Sequence, residues 1–363
     1  MSDEKKLAQL RKSIDIIDSQ LLELINQRAG CAKKVAKVKE ISGDIVYFRP
    51  EREANVLRNV MKKNNGPLGD EEVARLFREI MSACLALEQP IKVAFLGPEG
   101  TFTQQAAIKH FGNSAVTVSM NAIDEVFREV DAGAANYGVV PVENSTEGVI
   151  NHTLDAFLAS SLNICGEVEL RIHHNLLVGQ STHKDKITRV YSHSQSLAQC
   201  RQWLDAHYPK AERIAVSSNA EAAKRIKGEW SSAAIAGDMA AELYDLEKLS
   251  EKIEDRPDNS TRFLIIGREK ILQSGEDKTS IIIAAKNEPG ALYNLLAPFY
   301  REGAYLTRVE TRPSREGKWT YGFVVLLICD VLMVCVVFTL CDVLMVCVGL
   351  TLCDGLMVCD VLL

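Results

Sequence analysis

Between positions 5 and 40, apolar or small residues fall at 7, 10, 14, 17, 21 and 24, and then at 31, 35 and 38. Alternating steps of three and four keep one stripe on one face, so the spacing predicts a single long amphipathic helix with a heptad seam. At ~1.5 Å per residue it would run roughly 50 Å. A second helical pattern over about 50 to 63 stops at "KKNNGPLGD", whose Asn, Gly and Pro break it, and Asp70 is suited to cap a third helix running to Glu88. Pro90 closes this all-helical region, so residues 1–90 form one expected domain.

From Ile91 the pattern changes to short apolar runs, each followed by a hydroxyl-rich turn and a helical stretch: "IKVAFLG" then "PEGTFTQQAA", "YGVVPV" then "ENSTEGVIN", then "RVYSHSQSLAQC", "IAVSSNAEAAKRI" and "AAIAGDMAAELY". Strands alternating with helices predict a largely parallel α/β sheet with ligands at the strand C-termini, over residues 91–270. The strand "TRFLIIG" ends this region near Gly267, and "REKILQSGEDK" is a polar linker. Residues 278–325 then read strand, helix, strand, turn, strand. Residues 326–363 repeat with a twelve-residue period, as in "CDVLMVCVVFTL" and "CDVLMVCVGLTL". Near-verbatim repetition points to duplicated coding sequence, entered by frameshift or rearrangement, more than to a solenoid, whose repeats run longer. Asp330, Asp342, Asp354 and Asp360 interrupt the tail too often for an 18-residue uncharged run, which counts against a membrane anchor.

Composition narrows the partners. In 363 residues, 47% are hydrophobic, 25% are charged and the net charge is -6. Neither nucleic acid nor an anionic membrane is expected, because both reward basic patches. The N-terminus shows no apolar or basic targeting pattern, so a cytoplasmic location is expected. Of ten cysteines, only Cys31, Cys84, Cys165 and Cys200 precede the tail, without metal-ligand spacing. His173 and His174 are adjacent on a strand and point to opposite faces, so no metal site is expected there.

Charge sits where folding alone would not put it. Arg28 takes the heptad position that Leu7, Ile14, Leu21 and Val35 otherwise fill, and burying it unpaired would cost several kcal/mol. Lys39, eleven residues on, shares that face, and two inward cations ask for a bound anion. Snorkelling or pairing with Glu53 is the plainer alternative. Arg11 lies seventeen residues from Arg28, roughly 25 Å along the helix, too far to touch the same small molecule. Arg52 and Glu53 begin the second helix, while Cys84 and Glu88 lie one turn apart on the third. On its apolar face Glu88 should have a raised pKa and could donate a proton, unless it is simply solvated. Further on, Asn259, Ser260, Thr261 and Arg262 stand directly against the apolar run of "RFLIIG".

At these residues the chain resembles a known family. "LAQLRKSIDIIDSQLLELINQRAGCAKKVAKVKE", "RPEREANVL" and "LFREIMSACLALEQ" are similar to the helical chorismate mutase domain of the bifunctional chorismate mutase and prephenate dehydratase family. The resemblance implies an interlocked helical dimer in which Arg28, Lys39, Arg52, Glu53, Cys84 and Glu88 line one site and Arg11 comes from the partner. Some relatives carry Ser and Gln where this chain has Cys84 and Glu88, so Glu88 would have to be protonated to reach the substrate's ether oxygen.

"GPEGTFTQQAA", "VVPVENSTEG", "YSHSQSLAQC" and "NSTRFLIIG" resemble the dehydratase domain, which implies a two-lobed, periplasmic-binding-protein-like fold with its site in the cleft. Thr261 resembles the family's essential threonine, with Ser260, Arg262 and Phe263 beside it. Thr101, Glu143, Asn144, Ser145 and His193 are candidates for holding substrate, N-capping being the plainer reading of the hydroxyls. "EPGAL" and "ETRP" resemble the phenylalanine-binding motifs of an ACT domain, implying Gly290, Ala291, Leu292, Glu310, Arg312 and Pro313 as effector contacts. That ferredoxin-like α+β domain also needs a second helix and a fourth strand, which the repeat replaces, so the resemblance stops near Tyr321. The expected ligands are chorismate, prephenate and L-phenylalanine, with no cofactor. A non-enzymatic two-lobed sensor with a helical dimerisation arm is the alternative reading.

Overall fold

The computed structural model describes residues 3–42, 48–275, 277–285, 289–301, 303, 305–312, 323–329 and 356–358, with only the backbone of 283–285, 312 and the last two segments. It divides into two compact units, Met1–Ile91 with Phe111–Val116 and Lys92–His110 with Thr117–Leu363.

The first unit contains α1 (Asp3–Ser42), α2 (Pro50–Lys63) and α3 (Asp70–Ala86). α2 opens on Pro50, tolerated there because the first helical N–H has no intrahelical acceptor. Asp70 is not the cap of α3 but its first residue, with Gly69 before it. Its carboxylate instead accepts from Asn64 Nδ2 at 2.7 Å, and the same amide donates to the Leu68 carbonyl at 2.8 Å, which ties the α2–α3 turn. α3 ends at Ala86, two residues short of the expected Glu88, which lies in the turn that follows. Along α1 the heptad stripe is solvent-facing: Leu10 is 62% exposed, and Ile14 and Leu21 are at least half exposed.

The second unit holds two sheets. The first comprises β1 (Lys92–Leu96), β2 (Val116–Met120), β3 (Tyr137–Asn144), β4 (Gly148–Val149) and β5 (Asn163–Arg171), with α4 (Phe102–Phe111), α5 (Ile123–Asp131) and α6 (Asn151–Phe157) between them. α5 repeats apolar residues at Ile123, Val126, Phe127 and Val130, the spacing of one helix face, and the last three are buried. Phe127 meets Phe157 edge-on with ring centroids 5.0 Å apart.

The chain then builds a second sheet from β6 (Asn175–Val178), β7 (Arg189–His193), β8 (Glu212–Val216), β9 (Ser232–Ala236) and β10 (Glu247–Ser250). Its helices are α7 (Ser194–Gln199), α8 (Arg201–His207), α9 (Asn219–Ile226) and α10 (Asp238–Tyr244). The chain returns as β11 (Ser260–Gly267), which enters between β3 and β5, giving the first sheet the order β2-β1-β3-β11-β5 with β4 on β3. The second sheet has the order β10-β6-β9-β7-β8.

Both sheets are mixed, which corrects the expectation of a largely parallel one. β1 and β3 are parallel, as are β7, β8 and β9, but β11 is antiparallel to both of its neighbours and β6 and β10 also run antiparallel. The reason is connectivity. A strand coming back from the second lobe enters the first sheet at the end where β3 leaves it, so it must run the other way.

The last segment contains β12 (Thr279–Ala285), α11 (Ala291–Arg301), β13 (Leu306–Arg312), β14 (Phe323–Cys329) and β15 (Leu356–Val358), in the sheet order β13-β14-β12-β15. β15 comes from the repeat and pairs in parallel with Ser280, Ile281 and Ile282 of β12. That edge of β12 is therefore partly covered by the repeat. Main-chain pairing needs no particular side chains, so a repeat strand can fill that place.

Gly138 lies on β3 beneath α5. A Cβ there would sit 2.7 Å from Val126 Cγ1 and 2.8 Å from Ile266 Cγ1, closer than packed carbons approach. Gly138→Ala should destabilise the second unit by about 1–3 kcal/mol through overpacking. Denaturant titration followed by tryptophan fluorescence, all three tryptophans lying outside the helical unit, should show a lower midpoint. An unchanged midpoint would contradict this packing.

Candidate active sites

In the first unit, the inner faces of α1, α2 and α3 enclose a cavity of about 550 Å³. Its wall includes Arg28 and Lys39 from α1, Arg49, Arg52 and Glu53 around the start of α2, and Cys84 and Glu88 from α3 and the turn after it. All six residues expected in one site are brought together, and Arg11 is not among the lining residues. Four cations face two carboxylates, Arg49 being the cation not anticipated from the sequence. Its position just before the proline that starts α2 was the available signal.

Burial pushes the Glu53 carboxyl up to about 7, against the opposing pull of Arg78 and Arg28. Arg78 Nε stands 3.8 Å from Glu53 Oε1. Burial also raises Glu88, with Lys39 and Arg28 pulling the other way. The cavity therefore offers fixed positive charge together with carboxyl groups that hold their protons longer than in water.

The second unit carries a different cavity, of about 260 Å³, between its two sheets. Thr261, Asn144, Asn259 and Thr101 line it from the first sheet's side, and His193, Gln195, Ser196 and Gln199 line it from the β7–α7 turn and α7. Asn144 and Thr261 are register partners on β3 and β11, and Asn144 Nδ2 donates to Thr261 Oγ1 at 2.8 Å. Because the threonine oxygen accepts this bond, its own proton is left to donate elsewhere. Asn144 is itself fixed: its Oδ1 accepts from Thr146 N at 3.0 Å and Thr146 Oγ1 at 2.6 Å, and its Nδ2 also reaches Asn259 Oδ1 at 3.0 Å.

Behind this pair the network continues. Asn259 Nδ2 donates to Gln199 Oε1 at 3.1 Å, and His174 Nε2 lies 2.8 Å from the same oxygen. Burial lowers the His174 pKa, so the ring is neutral with its Nε2 proton on the glutamine. Asn259, Gln199 and His174 were not singled out as site residues from the sequence. An amide supporting another amide across 60 residues of chain leaves no local pattern.

Other expected residues lie elsewhere. Glu143 and Arg262 are register partners one step beyond Asn144 and Thr261, and strand alternation turns them away from the cavity. Arg262 Nη1 donates to Glu143 at 3.0 Å and its Nη2 to Glu167 at 2.7 Å. Arg308 of β13 shares the same Glu143 oxygen, and Lys278 Nζ reaches Glu167 at 3.1 Å. Burial would raise Glu167, but Arg262 and Lys278 outweigh it and hold its carboxyl below the usual range. Ser145 Oγ accepts from the Ser260 backbone N–H at 2.9 Å, pinning the end of β11, and neither serine lines the cavity. Phe263 is buried in the sheet. Gly290 turns with φ +84 before Ala291 and Leu292 open α11, while Glu310 accepts from Arg308 Nε at 3.3 Å. Pro313 and the Arg312 side chain lie outside the described residues.

Two family models match the chain: chorismate mutase type II over residues 10–89 and prephenate dehydratase over residues 93–271. The bifunctional chorismate mutase/prephenate dehydratase of Pseudomonas aeruginosa is 68% identical over 329 residues, 90% of each chain. The chain belongs to the bifunctional chorismate mutase/prephenate dehydratase family. The Neisseria gonorrhoeae enzyme of the same name is 50% identical over 317 residues, 87% of each chain. Among solved structures, the prephenate dehydratase of Arthrobacter aurescens in complex with L-Phe aligns with a TM-score of 0.62 at 32% identity, covering 67% of this chain and 82% of that one. As a member of this family, the protein converts chorismate to prephenate and prephenate to phenylpyruvate, two steps of phenylalanine biosynthesis. The sensor reading is set aside.

If Glu88 is the proton donor that the family resemblance implies, its raised pKa gives the mutase reaction a pH dependence. A proton donor with a raised pKa is active at low pH and is lost as pH rises through that pKa. Mutase kcat should therefore decline on the alkaline side in the parent, and Glu88→Gln should flatten that decline while keeping activity. A steady-state pH profile that is unchanged in the glutamine variant would exclude Glu88 as the titrating donor.

Proposed function

We propose that chorismate occupies the cationic cavity of the helical unit, where Arg28 and Arg52 bind substrate oxygens. Lys39 and protonated Glu88 stabilise the charge that develops on the ether oxygen as it breaks away. The rearrangement needs no nucleophile, since holding the compact chair-like conformer is most of the catalytic task. Arg11 serves the site of a second copy. This is supported by its absence from the cavity of its own chain and by the exposed apolar stripe of Leu7, Leu10, Ile14 and Leu21, which a partner helix would bury.

Prephenate occupies the cavity beside Thr261. The observation that carries this assignment is the Asn144 to Thr261 hydrogen bond, which presents the threonine proton as a donor. As the ring carboxylate leaves as carbon dioxide, its electron pair aromatises the ring and the C4 hydroxyl departs with a proton as water. Thr261 hydrogen-bonds the departing oxygen. A hydroxyl is a weak acid, so aromatisation supplies most of the driving force. Among the described residues, no Lys, Arg, Asp or Glu lines this cavity. The substrate's carboxylates are therefore held by neutral donors, among them Thr101 and the amides that open the ten-residue α4.

The segment from β12 onward is read as an ACT-like regulatory unit whose second half is replaced by the repeat. The Arthrobacter aurescens relative was solved with L-Phe, and "EPGAL" and "ETRP" here supply part of such a site. Inhibition by L-phenylalanine should be weakened. The enzyme acts in the cytoplasm, in keeping with the absence, among the described residues, of a helix long and apolar enough to cross a membrane.

Two measurements test these assignments. Thr261→Ala should lower the dehydratase rate by about 10²-fold or more while leaving mutase turnover intact; retention of dehydratase activity would move the chemistry elsewhere. With saturating L-phenylalanine, phenylpyruvate formation by the full chain should fall little, and strong inhibition would show that the partial unit suffices for control.

A further inference from the structure

At the wall of the Thr261 cavity, one side chain joins three pieces of the second lobe. Asn219 opens α9, and its Oδ1 accepts from the His193 backbone N–H at 3.1 Å, while its Nδ2 lies 2.9 Å from Ser196 Oγ. The His193 contact decides which way the amide faces. A backbone N–H can only donate, so the amide oxygen must point at it, and the NH2 group then points at Ser196. Ser192 Oγ stands 2.9 Å from the same Oδ1, with its single proton also in reach of the Ile235 carbonyl at 2.8 Å. Asn219 thus ties the end of β7, the first turn of α7 and the start of α9 to one point.

Ser196 is buried and lines the cavity. Once Asn219 Nδ2 donates to its oxygen, the serine's own proton is the one left to give. Without substrate that proton rests on Asn219 Oδ1, 3.0 Å away. An anionic substrate oxygen is the stronger acceptor and takes it. The same turn leads through α7 to Gln199, which supports Asn259 and so the Asn144–Thr261 pair.

We propose that Asn219 is a positioning residue for the dehydratase reaction, presenting the Ser196 hydroxyl as a neutral donor to the dianionic substrate and fixing the turn from His193 into α7. In a cavity lined, among the described residues, by no lysine or arginine, each oriented hydroxyl carries a larger share of anion binding. This inference rests on the assignment of dehydratase chemistry to the Thr261 cavity.

The test compares Asn219→Ala, Asn219→Asp, Ser196→Ala and Thr261→Ala in the full chain, with kcat and KM for prephenate, mutase turnover and a thermal melt for each. Losing one positioning contact costs about five- to tenfold, so Asn219→Ala should lower dehydratase kcat by that factor with mutase turnover unchanged. Asn219→Asp keeps an acceptor for the His193 amide, so kcat should stay within about threefold; its carboxylate faces a dianion and cannot donate to Ser196, so KM should rise about tenfold. Ser196→Ala should raise KM without the kcat loss. Parental kcat and KM in Asn219→Ala overturn the proposal, as does a parallel fall of kcat and melting temperature in both Asn219 variants, the mark of a packing role alone. If Thr261→Ala keeps its dehydratase rate, the site assignment fails and takes the inference with it. An inactive Thr261→Ala beside a parental Asn219→Ala overturns the inference only.

Discussion

The pairing of β11 with β3 is the constraint on which the dehydratase unit depends. It brings Asn144 and Thr261, 117 residues apart in sequence, to the same rung on adjacent strands of one sheet, and it can do so only because the chain leaves the first lobe after β5 and returns antiparallel. Pro141 sits opposite Phe263 in this pairing, and the register slips between Arg262 and Phe263. A proline in a strand flanked on both sides has no N–H to give its neighbour, and a bulge is the usual accommodation. Beyond the bulge the rungs regain register, and the alternation of side chains sends Thr261 and Asn144 into the cavity while Arg262 and Glu143 go behind it.

The two cavities proposed to hold the anionic substrates have walls of opposite character. The helical unit lines its cavity with Arg28, Lys39, Arg49 and Arg52; Arg78 and Arg28 limit how far burial raises Glu53, and Lys39 and Arg28 do the same for Glu88. The α/β unit lines its cavity with hydroxyls, amides, His174 and His193 and keeps Arg262 on the other face of the sheet. Neutral donors suit a reaction that discards one of the substrate's charges as carbon dioxide. A fixed guanidinium there would hold the leaving carboxylate in place and oppose the step.

Behind the rung of Asn144 and Thr261, Glu143, Arg262 and Glu167 form a chain of ion pairs, and Arg308 and Lys278 extend it from the segment that follows the dehydratase unit. Arg262 and Arg308 share one oxygen of Glu143. The part of the chain that resembles a regulatory domain is therefore joined electrostatically to the strands that carry Asn144 and Thr261. Arg262, expected beside the substrate because it follows Thr261, serves the opposite face for the simple reason that neighbours on a strand cannot share one.

Much of this protein was legible in its residues. Helical and strand periods marked the elements, because a 3.6-residue or two-residue repeat is imposed locally by backbone geometry. Arg28 and Lys39 on an apolar seam pointed to the wall of the cationic cavity, since charge is not buried without a partner, and the hydroxyl-rich "NSTRF" pointed to the head of the strand that lines the second one. What the linear order could not reveal was which of Glu143, Asn144, Thr261 and Arg262 face the cavity, that Asn259, Gln199 and Asn219 support it, or that Arg49 joins the cationic wall. Those outcomes depend on strand insertion, on a bulge opposite one proline and on hydrogen bonds between residues far apart in sequence. Only the assembled sheet determines such contacts, because the direction of a returning strand and the face its side chains take are properties of the packing and not of any short stretch of chain.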